Sequence, residues 1–202
     1  MVASKNKGKL FLIMGKSASG KDTLYKDIVA RFHGTLNTVV PYTTRPMRAG
    51  EEEGQEYHFI SEEQMRDMEA SGKVIESRCY QTVYGPWYYL TADDGQIDLN
   101  HGSSILIVTL EAYARLREYF GAEAVVPLYI EVEDGLRLSR AVERERSQKC
   151  PRYEELCRRF LADSKDFSDE RLRELGITHR YQNGDYNRVL EELCKMIRKE
   201  CR

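Results

Sequence analysis

The 202-residue sequence has no marked excess of charge of either sign: its formal net charge is −2, and acidic and basic residues are interspersed. Because a partner such as DNA normally requires a basic face, this balance argues against nucleic acid as a partner. The apolar run Leu10–Met14, which follows a polar and basic N-terminus, has only five residues. That run is too short for a membrane span or a secretory signal. We therefore expect a cytoplasmic protein without a membrane partner.

Cysteine is scarce, and its few copies show no pairing pattern. The five cysteines are Cys79, Cys150, Cys157, Cys194 and Cys201. Their number is odd and no CxxC pair occurs, which predicts reduced thiols packed on helices rather than a disulfide framework or a metal cluster. The sequence also contains no internal repeat and no low-complexity linker. Its length fits one α/β domain with room for an insertion.

The most informative feature that the sequence does contain is a glycine-rich segment between two regular elements. Gly15–Lys21 follows the apolar run Leu10–Met14 and precedes the helix-like Asp22–Ile28. Buried strand, glycine turn and helix N-terminus form the context of a P-loop, in which backbone N–H groups and the helix dipole bind phosphate. An ordinary glycine turn is the alternative, but this context favours nucleoside triphosphate binding. The expected ATP-binding residues in this segment are Gly15, Lys16, Ser17, Ala18, Ser19, Gly20, Lys21, Asp22 and Thr23.

Apolar segments alternate with amphipathic helical patterns over most of the chain. The predicted core strands are Leu10–Met14, Ser104–Thr109, Ala124–Ile130 and Thr178–Gln182. Strands that alternate with helices predict a parallel sheet covered by helices on both faces. We expect an α/β fold of the P-loop NTPase type with a five-stranded parallel sheet.

Two regions depart from this alternation. From residue 36 to about residue 91 the chain has short β-rich pieces at Glu56–Ile60, Val74–Tyr80 and Val83–Leu90, with a helix over Ser61–Ser71 between them. This texture predicts a small inserted subdomain. Residues 148–152 lie between two arginine-rich helices, Glu133–Arg146 and Tyr153–Phe167. We predict that this segment is part of a mobile lid, which spans about residues 137–160.

Two arginines lie three residues apart in a loop rich in proline and glycine. Arg45 and Arg48 fall within Pro41–Glu51, and Tyr57 follows. Together they can hold one phosphate, the arginines through bidentate contacts and the tyrosine through its hydroxyl. A solvated charged loop would carry the same residues. This segment alone leaves both interpretations open.

Taken together, residues 9–200 resemble the guanylate kinase family. The shared motifs, which occur in order and at the right spacing, are the P-loop, the Thr43–Glu51 stretch (TTRPxRxGE) with its later Tyr57-His58-Phe59, Val74–Glu76 and Tyr84-Gly85. The resemblance implies a single domain over 1–202, with a core at 9–35 and 101–202, an insertion that binds the nucleoside monophosphate at about 36–91 and a helical lid at about 137–160. It also implies phosphorylation of GMP to GDP with ATP and Mg²⁺.

The resemblance assigns roles to individual residues. Those that would hold the phosphate of GMP are Arg45, Arg48, Tyr57 and Tyr84. Glu76 would accept hydrogen bonds from guanine N1–H and the exocyclic amine, a pair of donors that adenine lacks. By the resemblance, Asn183 lies where the chain of family members passes the adenine of ATP. An ordinary turn could also carry an asparagine at this position.

The resemblance also concerns the arginine-rich helices. Arg144 and Arg159 match the lid arginines that contact the transferring phosphoryl group, and with Lys21 and Arg45 they are the expected catalytic residues. An exposed helix face laced with glutamates accounts better for Arg137 and Arg146.

The sequence departs from the family pattern at several positions. Pro41 and Pro86 stand where hydroxyl residues normally contact the nucleotide, the second near guanine O6, and proline offers neither hydroxyl nor N–H. Ile107 and Thr109 stand where the family carries acidic residues that serve the metal and GMP. Asp93, Asp94 and Glu111 are the acids that can replace them spatially.

The P-loop shows the opposite change. Asp22 replaces the usual Ser or Thr ligand of Mg²⁺ after Lys21. We hypothesise that Asp22 helps to hold Mg²⁺, so that negative charge near the metal is relocated rather than removed.

Two other functions stay open. The first is a P-loop kinase of another phosphorylated metabolite such as a ribose bisphosphate, which the two prolines and the Lys21-Asp22 pair favour. The second is a non-catalytic guanylate kinase-like binding module, which the retained Gly15, Gly20 and Lys21 disfavour. The sequence does not choose between a monomer and a homodimer.

Overall fold

The structure is a computed structural model that describes residues 8–48, 50–82 and 84–201. Residues 1–7 of the basic N-terminus, Ala49 of the arginine loop and Val83, where one strand is predicted to begin, lie outside the described residues. The strands are β1 (Leu10–Met14), β2 (Leu36–Thr38), β3 (Tyr42–Thr43), β4 (His58–Phe59), β5 (Val74–Thr82), β6 (Gly85–Ala92), β7 (Ser103–Ile107), β8 (Val125–Glu131) and β9 (Tyr181–Gln182). The helices are α1 (Lys21–Arg31), α2 (Glu62–Ala70), α3 (Leu110–Phe120), α4 (Asp134–Arg146), α5 (Tyr153–Asp166), α6 (Asp169–Glu174) and α7 (Tyr186–Glu200).

Five strands form the larger sheet, in the order β2-β7-β1-β8-β9. Every pair is parallel, so the predicted five-stranded parallel sheet is confirmed. Strand β1 is central, with Leu12 level with Leu106 of β7 and Pro127 of β8. The P-loop that follows β1 therefore lies at the carboxyl end of the middle strand, where open parallel sheets bind their ligands.

The apolar run of β1 is explained by burial on both faces of this sheet. Leu10, Leu12 and Met14 pack into a cluster with α3 and α6, whereas Phe11 and Ile13 pack into a second cluster with α1 and α7. All five side chains are fully buried. The rigid core thus fixes the start of the P-loop.

A smaller sheet, in the order β4-β3-β6-β5, forms the insertion. Strands β5 and β6 form a long antiparallel hairpin, and β3 pairs antiparallel with β6 and parallel with β4. The expected insertion from residue 36 begins too early, because β2 pairs with β7 in the larger sheet. The smaller sheet spans residues 42–92, since backbone pairing rather than residue composition decides where the core resumes.

The helix boundaries follow local capping. Ser61 Oγ accepts a hydrogen bond from Gln64 N–H, and Gln64 Oε1 accepts one from Ser61 N–H, which makes a full capping box at the start of α2. Glu133 caps α4 by accepting from Gly135 and Leu136. Helix α6 was not predicted, because it has only six residues.

Among the described residues no helix is long and apolar enough to cross a membrane, and all five cysteines are free thiols.

Candidate active site

The P-loop follows β1 with the backbone conformation that its glycines permit. Gly20 has a φ of 83° and Ala18 a φ of 62°, both in the left-handed region. A Cβ at Gly15 would lie 2.5 Å from the carbonyl oxygen of Ile130 in β8. Close packing against the sheet therefore requires glycine at the first position, and a left-handed turn favours it at Gly20.

Lys21 and Asp22 open helix α1, where the dipole favours negative charge. The Lys21 Nζ lies 3.5 Å from Asp22 Oδ2, and the Asp22 side chain is 73% exposed. This carboxylate is accessible beside the P-loop lysine. Asp22 thus remains the candidate ligand that the sequence suggested.

Ser17 joins the P-loop to the lid helix α5. Its backbone N–H donates to Asp163 Oδ2 across 2.7 Å, and its Oγ accepts from Arg159 Nη2 across 3.0 Å. Arg144 of α4 lines the same small cavity as Ser17 and Arg159. The structure therefore places both predicted lid arginines at the phosphate loop. Asp163 was missed by the sequence reasoning, although it lies one helical turn after Arg159 on α5.

Arg137 is the clearest correction to the sequence predictions. It was expected on an exposed face, but its side chain is 1% exposed. It donates to Asp134 across 2.9 Å and to Asp163 across 3.4 Å, and its guanidinium lies 3.9 Å from the ring centroid of Phe160. Two carboxylates and an aromatic face offset the cost of burying this charge. Arg146, by contrast, is exposed beside Glu143 as expected.

Asn183 lies behind the P-loop rather than in an open adenine site. Its side chain is buried, and Nδ2 donates to the carbonyl oxygen of Ser19 across 2.8 Å. The backbone carbonyl oxygen of Asn183 accepts a hydrogen bond from Arg140 Nη2, in α4, across 3.2 Å. Asn183 thus packs against the P-loop backbone, and a Cβ at Gly20 would lie 2.6 Å from its Nδ2.

Arg45 of the smaller sheet is buried and paired with Glu51. The two nitrogens Nη1 and Nη2 lie 2.7 and 2.6 Å from the two carboxylate oxygens. The hydrogen bonds from Arg45 lower the pKa of Glu51 to about 2. The Arg45 guanidinium also lies over the rings of Tyr57, at 5.0 Å, and Phe59, at 5.3 Å. This packing gives Arg45 a fixed direction, which a solvated loop arginine would lack.

The other three expected phosphate ligands, Arg48, Tyr57 and Tyr84, differ in their burial and contacts. Arg48 is exposed, and its backbone N–H donates to Glu51 across 2.8 Å. Tyr57 packs edge-on against Tyr89 at 5.6 Å, and burial raises its pKa, so its hydroxyl keeps the proton that it would donate. Tyr84 is 82% exposed and stacks on Trp87. Arg45, Arg48 and Tyr57 are therefore brought together through Glu51 and the aromatic packing, whereas Tyr84 stays at the exposed hairpin tip.

Glu76 lies on β5 and is already hydrogen-bonded within the protein. It accepts from Thr91 Oγ1 across 2.7 Å and from Arg78 Nε and Nη2 across 3.0 and 3.3 Å. Arg78 also donates to Thr109 Oγ1 at the start of α3 across 3.1 Å. The sequence reasoning missed Arg78, although residues two apart on a strand share a face. The expected base-binding carboxylate is thus half of an ion pair.

Asp93, Asp94 and Glu111 are the acidic residues that were expected to replace the missing carboxylates of the strand, and only Glu111 lines a cavity with Glu76. Asp93 accepts from the hydroxyl of Tyr119 across 2.8 Å, and Asp94 accepts from that of Tyr42 across 2.6 Å. Glu111 lines a cavity of about 430 Å³ together with Glu76. In the part of the chain that the structure describes, no group of three or more His, Cys, Asp or Glu side chains is placed to hold a metal ion.

Comparison with known proteins agrees with this arrangement. The family model described as guanylate kinase matches residues 7–152. A guanylate kinase from Caulobacter vibrioides is 30% identical over 162 residues, which cover 80% of this chain and 72% of that protein. Guanylate kinases from Legionella pneumophila (39% identical) and Desulfotalea psychrophila (40% identical) match over 87 and 81 residues, or 43% and 40% of this chain. The chain spans about 40% of the length of these two relatives.

A solved structure extends the likeness to nearly the whole chain. The crystal structure of guanylate kinase from Anaplasma phagocytophilum matches with a TM-score of 0.69 and 18% identity. The match covers 98% of this chain and 88% of that chain. At this identity the likeness concerns the fold alone.

Proposed function

This chain belongs to the guanylate kinase family, and on that premise we propose that it phosphorylates GMP to GDP with ATP as the phosphate donor. The observation that carries the proposal is that Arg144 and Arg159 line one small cavity with Ser17, a residue of the glycine-rich loop that ends at Lys21. A second cationic cluster, at Arg45 and Arg48, lies on a separate sheet, as transfer between two phosphorylated molecules requires. The product would belong to purine nucleotide metabolism. Five free thiols favour a reducing compartment such as the cytoplasm.

Catalysis would consist of positioning and charge neutralisation. Two polyanions must meet in line, and their repulsion is offset by Lys21 and by arginines from the lid and the insertion. No general base is needed, because the attacking oxygen of a phosphate monoester is already ionised at neutral pH. The hydrogen bonds from Arg45 to Glu51 and to the Pro46 carbonyl oxygen use three of its five N–H groups, and they leave Nε–H and one N–H of Nη2 for a phosphate.

We assign the parts of the fold to these tasks. The core, with β1 and the P-loop, would hold ATP. The insertion, which in the structure spans residues 42–92, would hold the nucleoside monophosphate through Arg45, Arg48 and Tyr57. Residues 137–160 would act as the lid that carries Arg144 and Arg159. The exposed position of Tyr84 means that it joins the phosphate site only if the hairpin tip moves.

The P-loop also fits a magnesium ion that is bound mainly through substrate phosphates. Mg²⁺ in such sites needs only one or two carboxylates, and Asp22 is exposed beside Lys21. When bound, Mg²⁺ would supply positive charge that offsets the charge of the phosphates, and Asp22 would be the side chain that helps to hold it. Thr109, at a position where the family carries an acid, already accepts a hydrogen bond from Arg78 and caps α3. We therefore assign the role of carboxylate ligand to Asp22.

The proposal is tested by a panel of phosphate acceptors. The purified chain is incubated with ATP and Mg²⁺ and with GMP, AMP, CMP, UMP or ribose 1,5-bisphosphate, and the products are separated by ion-exchange chromatography. We expect ADP and GDP to form in equal amounts with GMP. Turnover of the ribose bisphosphate alone would identify the rival kinase, and absence of turnover with every acceptor would identify a non-catalytic module.

A further inference from the structure

Asp163 of α5 is a carboxylate beside the P-loop, and phosphate transfer gives it no direct task. Its Oδ2 accepts a hydrogen bond from the backbone N–H of Ser17 across 2.7 Å and lies 3.4 Å from Arg137 Nη1. The side chains of Asp163 and Arg137 are 18% and 1% exposed. A carboxylate at this place would, on its own, repel a triphosphate. The buried guanidinium of Arg137 offsets that repulsion, so the loop faces a neutral pair rather than a negative charge.

The pair belongs to a ring of alternating charges around the first half of the P-loop. Arg137 Nε and Nη2 donate to Oδ1 of Asp134, in α4, across 3.1 and 2.9 Å. Lys16 Nζ lies 3.4 Å from the same oxygen. Lys16 and Ser17 are adjacent in the chain, so these contacts close into a ring. Arg137 Nη1 also donates to the carbonyl oxygen of Ser17 across 3.5 Å, and both backbone polar groups of Ser17 therefore have partners on α4 and α5.

The first half of the P-loop is thus ordered by the protein's own groups rather than by phosphate. The N–H of Ser17 donates to Asp163, and the N–H of Ser19 donates to the carbonyl oxygen of Lys16 across 3.2 Å. The N–H groups at the start of α1 have no acceptor within the helix and are the natural donors to a bound anion. A loop that is already ordered spares ATP the entropic cost of ordering it. The contact between Asp163 and Ser17 should therefore raise the affinity for ATP.

Asp163 also determines where Arg159 lies. The two residues are four apart on α5 and so share a face of the helix. Arg159 Nη2 donates to Oγ of Ser17 across 3.0 Å, on the residue whose N–H binds Asp163. Two side chains of opposite charge thus attach one turn of α5 to one residue of the loop. Without Asp163, the position of Arg159 beside the loop would rest on its own long side chain, which is exposed.

We propose that Asp163 is a positioning residue for phosphoryl transfer, which holds Ser17 in the conformation that binds ATP and holds Arg159 beside the transferred phosphate. The proposal rests on the proposed function and names a residue that acts through two others rather than on the substrates. Its two effects belong to different steps. The hydrogen bond to Ser17 acts on the binding of ATP, whereas the position of Arg159 acts on the transfer.

The first test measures the dissociation constant of ATP by titration calorimetry in Asp163→Ala and Asp163→Asn. The alanine variant loses a charge-assisted hydrogen bond, and we expect its dissociation constant for ATP to rise by about 10-fold. The asparagine variant keeps an oxygen for the N–H of Ser17 and should lose less. An unchanged or lower dissociation constant in Asp163→Ala would overturn the proposal, because Asp163 would then be indifferent to ATP or compete with its phosphates. If the alanine variant does not fold, the same two outcomes in Asp163→Asn decide the matter.

The second test separates a positioning role from a general loss of stability. In the transfer reaction with GMP and Mg²⁺, Asp163→Ala should raise KM for ATP and lower kcat by about 10-fold, while KM for GMP stays within about twofold of wild type. In the Arg159→Met background the same substitution should lower kcat by less than about twofold, since the side chain through which it acts is gone. Equal losses of kcat in the two backgrounds would overturn the role assigned to Asp163 toward Arg159.

Asp166→Asn is the matched control. Asp166 lies on the same helix and pairs with Arg171 at the surface, so its substitution should leave the dissociation constant of ATP and kcat unchanged. The melting temperature of each variant is recorded, so that every measurement is made on folded protein. If the wild type transfers no phosphate to GMP, the proposed function fails, whereas the calorimetry still decides the role of Asp163 at the P-loop.

Discussion

The carboxylate of Asp163 accepts hydrogen bonds from both the backbone N–H of Ser17, across 2.7 Å, and the buried guanidinium of Arg137, across 3.4 Å. Arg137 in turn donates toward the carbonyl oxygen of Ser17 across 3.5 Å. Helices α4 and α5 are thereby tied to each other and to the P-loop at one residue. The position of Arg144 and Arg159 relative to the P-loop depends on this junction.

From these contacts we predict that substitutions of two arginines in helix α4 differ greatly in their effect on the free energy of unfolding. Arg137→Met should lower the free energy of unfolding by about 3–5 kcal/mol, because Asp163 and Asp134 lose their buried counter-charge. Arg146→Met, at the exposed end of α4, should change it by less than about 0.5 kcal/mol. Urea denaturation followed by circular dichroism measures both. Equal effects of the two substitutions would show that Arg137 is not a structural residue.

Lys21→Met should abolish phosphoryl transfer and leave the fold intact. The lysine charge on the β- and γ-phosphates is lost, whereas its only ion pair in the described structure is with the exposed Asp22. We expect kcat to fall by about 10³-fold or more, with a melting temperature close to that of the wild type. Turnover within a few-fold of wild type would exclude the P-loop as the catalytic centre.

Asp22→Ser should raise the concentration of free Mg²⁺ needed for half-maximal rate. It should also weaken the Mg²⁺-dependent binding of ATP seen by calorimetry, since one carboxylate ligand is removed. Asp67→Ser, on the exposed side of α2, is the matched control and should change neither quantity. If the Mg²⁺ requirement of Asp22→Ser equals that of the wild type, Asp22 only stabilises the N-terminus of α1 through the helix dipole.

Glu51 predicts a pH-dependent contribution to stability. Its pKa is about 2 in the folded protein because of the hydrogen bonds from Arg45, against about 4.3 in an unfolded chain. A depressed pKa stabilises the fold fully above the unfolded value, and this stabilisation is lost as the pH falls through the folded value. Glu51→Gln should therefore cost about 2–3 kcal/mol at pH 7. The difference from wild type should shrink below about pH 4.3, as urea unfolding at several pH values would show; a difference independent of pH would contradict the pairing.

The large sheet and the P-loop could be predicted from the sequence because their signals are local. Leu10–Met14 is apolar at every position, as burial on both faces requires, and Gly15–Lys21 follows it at once. The beginning of the insertion could not be predicted, because Leu36–Thr38 is too short to show whether it pairs with β7 or with the hairpin. That choice is made by backbone hydrogen bonds between segments distant in sequence.

The same distinction applies to the site. Arg144, Arg159 and Glu76 were expected from the resemblance to guanylate kinases, and in the structure the two arginines line one cavity with Ser17 of the P-loop. The burial of Arg137 was not predictable, because its partners Phe160 and Asp163 lie on another helix. A charged residue in an amphipathic helix next to several glutamates looks exposed until the packing of that helix is known.

The central claim is that this chain moves the γ-phosphate of ATP onto GMP. The most direct measurement is transfer of label from [γ-³²P]ATP in the presence of Mg²⁺ and GMP, followed by separation of the nucleotides and inorganic phosphate. We expect the label to appear in GDP, transfer to AMP to be far slower than transfer to GMP, and Lys21→Met to abolish the transfer. Label found only in inorganic phosphate, or retained in ATP whichever acceptor is supplied, would contradict the claim.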